Sequence, residues 1–220
     1  MEATGVEFRM YIPSDLLDGY QRFKEQRFLE EAERYRSLAF EQNPQTLIIG
    51  CADSRVDPAT IFSAAPGELF IVRNIAALVP PCEFTGKFHG TSAAIEFAVN
   101  VLAVENIVVL GHGRCGGISA ALAVAENRPV GQFVKPWVDL IENVRNVVLD
   151  RAGDESPESQ QQSLEFLAIK QSLENLRTFP FVEEALKGGK LTLNGAWFSI
   201  ADAELRWMVP ESGMFHTIDH

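Results

Sequence analysis

Two short stretches of this chain concentrate reactive side chains. Gly50-Cys51-Ala52-Asp53-Ser54-Arg55 sets a thiol, a carboxylate and a guanidinium at alternate positions. Gly111-His112-Gly113-Arg114-Cys115-Gly116-Gly117 sets an imidazole three residues before a second thiol. Thiolate and imidazole are the ligand types that select zinc over magnesium or calcium. Cys51, His112 and Cys115 together would leave the fourth tetrahedral position open, the mark of a catalytic rather than a structural zinc. The rival reading treats each cysteine as a small buried hydrophobe; four candidate groups on two segment ends favour the metal. Cys82, in VPPCEFTG, has no ligand type beside it and reads as a plain thiol. Asp53 and Arg55 admit three roles. They form a surface ion pair worth ~0–1 kcal/mol, or a partly buried pair that holds the loop, or a carboxylate at the open metal position. In the last case Asp53 either accepts a hydrogen bond from bound solvent while Arg55 grips it, or swings onto zinc as a fourth ligand and closes the site. It cannot do both at once.

The second stretch also spells G-x-G-x-x-G between a strand and a helix, the fingerprint of dinucleotide folds. A dinucleotide site also wants an acidic residue ~20 positions on, at the end of the next strand. Here RPVGQFVKPWVDL reads as turn and helix, so the glycines are better explained as room for backbone beside a metal.

The elements that would position these residues follow from apolar patterning. TLIIG (46–50), ELFIVR (68–73) and NIVVLG (106–111) are gapless apolar runs of strand length bounded by turn residues. Helical spacing recurs over 15–40, 91–103, 117–126, 133–150, 163–176 and 182–187. Gapless strands alternating with helices predict an α/β fold with a mostly parallel central sheet flanked by helices. No boundary divides the pattern, so the chain reads as a single domain spanning 1–220. KLTLNGAWFSI (190–200) and the following ELRWM predict a last strand and a C-terminal edge hairpin, and the polar stretch RAGDESPESQQQ (151–162) reads as a connector. Ligands of open parallel sheets gather at the carboxyl ends of the strands, where CADSR and GHGRCGG stand.

The whole-chain numbers narrow the setting. With 220 residues and 46% hydrophobic content, one sizeable core is affordable. A formal net charge of −11 repels phosphate backbones and anionic lipid surfaces, which removes nucleic acid and membrane as partners. The start, MEATGVEFRMYIPSDLL, lacks the basic flank and apolar stretch of a secretory leader. Three cysteines, an odd count, fit a reducing compartment, so the expected location is cytoplasmic.

On these residues the chain resembles the beta-class carbonic anhydrases, over 15–208 and most densely over 42–117. The matching stretches are CADSR, PGELFIVRN, ALVPP, GTSAAIEFAV and GHGRCGG. The resemblance implies one Zn2+ per subunit on Cys51, His112 and Cys115, with Asp53 and Arg55 as catalytic dyad. The implied reaction is reversible hydration of carbon dioxide to bicarbonate and a proton by zinc-bound hydroxide. Hydrolysis of carbonyl sulfide or carbon disulfide at the same site, and a non-catalytic zinc-stabilised assembly protein, are the alternatives. The fold implied is that read above, with residues 1–42 as an N-terminal helical arm that wraps a partner in a homodimer or dimer of dimers.

Within that family the chain resembles the plant-type subclass. Gln42 matches a glutamine that reaches the pocket across the dimer interface, and Phe70 matches an aromatic pocket wall. Phe97 stands where a tyrosine is usual and keeps an apolar wall. Gly116 would offer its backbone N–H to the developing oxyanion. Ile48 occupies the position of a tryptophan in the bicarbonate-inhibited bacterial subclass, which argues against that regulatory site. AWFSI keeps part of a Gly-Trp-x-Tyr pattern. His89 is the candidate for proton exit because histidine titrates near neutrality.

Overall fold

A computed structural model describes residues 12–86, 89–151, 153 and 155–218 of the chain. Residues 1–11, most of the stretch read above for a leader, lie outside the described residues. The chain divides into two compact units, Met1–Gln42 and Asn43–His220.

The first unit carries α1 (Ser14–Arg22), a π-helical turn (Phe23–Arg27), α2 (Phe28–Glu30) and α3 (Ala32–Leu38). Phe23, Phe28 and Tyr35 cluster with ring centroids 5.4–6.1 Å apart. No residue of these helices is buried, and Leu16, Tyr20 and Leu29 are exposed.

The second unit is built on six strands: β1 (Thr46–Cys51), β2 (Leu69–Asn74), β3 (Asn106–His112), β4 (Thr192–Phe198), β5 (Leu205–Met208) and β6 (Phe215–Thr217). Their order is β2-β1-β3-β4-β5-β6; the first four run parallel and the last two antiparallel. This is the mostly parallel sheet with an antiparallel C-terminal edge that the patterning predicts, with β6 as an extra strand. Leu47 and Ile49 of β1 and Ile107 and Val109 of β3 pack on one face against Ile169, Leu173 and Leu176. Ile48, Val108, Leu110 and Ala196 face the other side. With both faces covered, β1 and β3 need apolar residues at consecutive positions, which is why they carry no polar alternation.

The helices are α4 (Pro58–Ile61), α5 (Gly90–Glu96), α6 (Gly116–Ala125), α7 (Val134–Val138), α8 (Glu142–Arg151), α9 (Pro157–Arg177) and α10 (Pro180–Lys187). The expected connector over 151–162 is shorter than read from its polarity, because α9 starts at Pro157. The Ser156 hydroxyl accepts from the Ser159 N–H at 3.2 Å, and Pro157 fills the first helical position, where no N–H is needed.

The chain runs from β1 to β2 on one side and returns past β1 to β3 on the other. That reversal opens a crevice at the carboxyl ends of β1 and β3. Cys51 ends β1 and His112 ends β3, and the register Gly50↔Leu110 sets them side by side.

Candidate metal centre

The geometry gathers the two sequence motifs at that crevice. The ligand atoms of Cys51, His112 and Cys115 all lie within 4.8 Å of one another, and all three side chains are buried. Cys51 Sγ and Cys115 Sγ are 3.9 Å apart. Two sulfurs on one tetrahedral zinc, each ~2.3 Å from the ion, stand about 3.8 Å from each other. His112 Nδ1 lies 3.0 Å from the Gly113 carbonyl oxygen and donates to it. That leaves the lone pair on Nε2, which is buried without a hydrogen-bond partner among the described residues. An orphaned imidazole nitrogen beside two sulfurs at that spacing fits a zinc ion.

Local backbone makes the third ligand reach. Arg114 adopts φ 55°, which turns the chain sharply after β3. Cys115 then caps α6 in an extended conformation. Four backbone N–H groups are aimed at the sulfurs: those of Asp53 and Ala76 at Cys51, and those of Gly117 and Ile118 at Cys115. The Cys115 thiol donates to Cys51 and holds it ionised against the cost of burial. The same hydrogen bond, with burial, pushes the Cys115 thiol far up. Burial opposes a charge on His112, but the adjacent Cys51 outweighs it and raises the imidazole above its ordinary value. A cation that replaces the shared proton would be bound with proton release.

Asp53 is fully engaged by Arg55. Its Oδ1 accepts from the Arg55 backbone N–H at 3.0 Å and from Nε at 2.9 Å, and its Oδ2 accepts from Nη2 at 2.7 Å. These bonds hold the Asp53 carboxyl well below the usual carboxylate range. Oδ2 also stands 3.9 Å from His112 Nε2, so the carboxylate edges the ligand cluster. Gly116 opens α6 directly after Cys115, and nothing lies within 4 Å of where its Cβ would stand.

Three supporting residues escaped the sequence reading. Arg73, at the end of β2, donates to the carbonyls of Cys51 (2.8 Å), Asp53 (2.6 Å) and Val56 (3.1 Å) and so shapes the CADSR loop. A charge closing the apolar run ELFIVR was its signal. Glu165, 3% exposed on α9, accepts from the Cys115 backbone N–H (3.0 Å) and Gln161 (3.1 Å) on Oε1, and from Trp197 Nε1 (3.0 Å) on Oε2. Burial pushes its pKa up while these donors pull the other way. Trp137, on α7, donates from Nε1 to the Ile75 carbonyl at 2.8 Å.

Other sequence-predicted residues lie elsewhere. Phe70 and Phe97 stack on each other at 5.8 Å, but Phe70 pairs with Leu47, four positions before Cys51 and roughly 13 Å away along the strand. Gln42 is the exposed last residue of the first unit. His89 precedes α5 with a buried Nε2 that has no hydrogen-bond partner among the described residues. Cys51, Cys82 and Cys115 are all free thiols.

A family model described as "Carbonic anhydrase" matches residues 46–205. Beta carbonic anhydrase 5, chloroplastic, of Arabidopsis thaliana is 38% identical over 213 residues, covering 94% of this chain and 70% of that protein. The solved structure of the beta-carbonic anhydrase CcaA superposes with a TM-score of 0.87 at 30% identity, over 93% of this chain and 98% of the other. One of two tetrameric beta-carbonic anhydrases from the ascomycete Sordaria macrospora superposes with a TM-score of 0.80 at 27% identity, over 92% and 97%.

Proposed function

We propose that this chain, which belongs to the beta carbonic anhydrase family, hydrates carbon dioxide reversibly to bicarbonate and a proton with zinc held by Cys51, His112 and Cys115. The observation that carries the reading is the ligand triad bordered by a carboxylate that a guanidinium holds ionised. Zinc, when bound, supplies the Lewis acidity that makes water a nucleophile near neutral pH. Two thiolates cancel the 2+ charge of that ion, so the chain must compensate for the lost acidity. Asp53 does so as an ionised acceptor: Oδ2 takes a hydrogen bond from the attacking water and thereby aims its lone pair at carbon. Arg55 keeps Asp53 charged and fixes its rotamer. The oxyanion that develops on the substrate meets the Gly116 N–H at the start of α6, on a face left open by the missing side chain.

The apolar wall for carbon dioxide is assigned to Phe70 and Phe97, and Gln42 to the substrate's oxygens, each serving the site of a partner chain. The distance of Phe70 from its own chain's sulfurs and the 42% exposure of Phe97 support that exchange. The functional unit is accordingly a homodimer or dimer of dimers, in line with the tetrameric Sordaria relatives. Two ligand thiols 3.9 Å apart also favour a reducing compartment, cytoplasmic in this reading, because oxidation would join them.

A stopped-flow pH-indicator assay on protein of measured zinc content tests the function. Zinc-loaded protein is expected to hydrate carbon dioxide far above the buffer rate. Zinc-loaded protein with no rate above buffer, even at alkaline pH, overturns the reading, and faster turnover of carbonyl sulfide than of carbon dioxide reassigns the substrate.

A further inference from the structure

The two positive-φ alanines beside the metal centre are unexplained by the ligand set alone. Ala76 (φ 64°, ψ 16°) and Ala77 (φ 55°) follow β2 in the left-handed region, which L residues other than glycine occupy only when their surroundings over-determine it. Three neighbours supply that constraint. Asn74 closes the turn by accepting from the Leu78 N–H at 2.9 Å and donating to the Leu78 carbonyl at 2.8 Å. Gly117 backs it so closely that a Cβ there would stand 2.7 Å from Ile75 Cγ2 and 2.8 Å from Ala76 Cβ. Trp137 Nε1 donates to the carbonyl of Ile75 at 2.8 Å.

The peptide joining Ile75 and Ala76 is therefore held at both ends. Its C=O receives the indole N–H, and its N–H, carried by Ala76, donates to Cys51 Sγ. In a planar trans peptide these two groups point in opposite directions, so fixing one sets the aim of the other. Trp137 itself has a firm base, because its neighbour Val138 is fully buried in the cluster that contains Ile118, Ala121 and Ile141.

We infer that Trp137 is a positioning residue for the metal centre: by clamping the peptide between Ile75 and Ala76, it keeps an N–H hydrogen bond on the ligand sulfur of Cys51. The inference rests on the function proposed above, in which Cys51 binds zinc. An N–H donor draws electron density from a thiolate and makes it a less generous ligand, so the bound ion keeps more of its acidity. In a site with two anionic sulfurs this is the correction the chemistry needs, and it reaches the sulfur through one peptide plane.

Cobalt(II)-loaded protein reports the sulfur directly through its thiolate-to-cobalt charge-transfer absorption. Four proteins are compared: wild type, Trp137→Phe, a form with Trp137 replaced by β-(3-benzothienyl)alanine, and Val138→Ala. The benzothienyl residue keeps the bicyclic ring and removes only the N–H, so it folds where Trp137→Phe fails. Both Trp137 replacements are expected to move the band to longer wavelength, and their zinc forms to lose several-fold in kcat/KM. Val138→Ala is expected to lower the melting temperature and leave the band in place. An unmoved band in the benzothienyl form overturns the inference, and so does an equal shift in Val138→Ala, which would mark a packing effect. Wild-type protein that binds cobalt, shows the band and yet hydrates no carbon dioxide would defeat the proposed function while leaving the test of Trp137 intact.

Discussion

Replacing Glu165 by glutamine changes one atom behind the metal centre, and the structure sets the expected cost. The carboxylate receives three N–H donors, from Cys115 and Gln161 on one oxygen and from Trp197 on the other, at 3.0–3.1 Å. An amide offers a single oxygen. In its better orientation that oxygen keeps Cys115 and Gln161, and the amide nitrogen then faces the indole N–H, donor against donor. One buried donor left unsatisfied costs ~1–3 kcal/mol, and the two surviving bonds weaken from charge-assisted to neutral, for a total of about 2–4 kcal/mol. At this chain length that is a fall of about 5–15 °C in Tm. Calorimetry and urea unfolding of metal-free Glu165→Gln against wild type measure it. Because the penalty sits on the indole, Trp197→Phe, which has no N–H, should relieve much of it, and the double mutant should be more stable than the sum of the singles predicts. Glu165→Gln within ~0.5 kcal/mol of wild type, or strict additivity with Trp197→Phe, refutes the reasoning.

Asp53→Asn should retain wild-type zinc content and lose at least ~100-fold in kcat/KM, since an amide cannot serve as an ionised acceptor; metal analysis beside stopped-flow rates checks it, and an unchanged rate removes Asp53 from the mechanism. Gly117→Ala should cost ~1–3 kcal/mol and reduce metal content, because its Cβ would collide with Ala76, whereas Gly116→Ala should melt like wild type and be slowed in turnover. Lys135, with Arg145, holds the Asp139 carboxyl below its ordinary value, so this stabilisation is complete above the unfolded value of ~3.9 and is lost as pH falls through the lower folded one. Acid unfolding of Asp139→Asn should accordingly show a shallower slope than wild type, and an identical slope would refute the assignment.

How much of this was legible beforehand divides along a physical line. The clustering of Cys51, His112 and Cys115 could be read because these residue types are chemically rare and stand at the ends of apolar runs, where an open parallel sheet concentrates chemistry. Gapless TLIIG and NIVVLG marked two-sided burial, and β1 and β3 are the strands covered on both faces. Glu165 was invisible for the opposite reason. A glutamate in a helix is ordinarily a solvated charge, and only the fold brings it under Cys115, 50 residues earlier. Trp137 likewise meets Ile75 across 62 residues with no local pattern to announce the contact. The start of α9 did carry a signal, Ser156 followed by Pro157 and an acidic residue, but the glutamine run after it read as polarity rather than as helix. β6, three residues long, has too few positions to show a strand period.

The glycines of GHGRCGG show what a motif means once its neighbours are known. A Cβ on Gly111 would stand 2.7 Å from Ile169 Cδ1, one on Gly113 3.0 Å from the Trp197 ring, and one on Gly117 2.8 Å from Ala76 Cβ. Each of these three is small because a specific side chain of the fold occupies the space, so Gly111 and Gly113, the first two glycines of the G-x-G-x-x-G spacing, need no phosphate to explain them. The neighbours are also the ones that matter to the sulfurs: Trp197 is bonded to Glu165, which holds the Cys115 N–H, and Ala76 donates to Cys51. Packing behind the loop and hydrogen bonding to the two thiols are thus one set of contacts, and a change that swells the loop reaches the Cys51–His112–Cys115 cluster through them. Gly116 stands apart. No neighbouring atom of the described residues fills the space its side chain would take, at the position where the backbone turns from Cys115 into α6. Under the proposed function that space is where the substrate's developing oxyanion meets the Gly116 N–H.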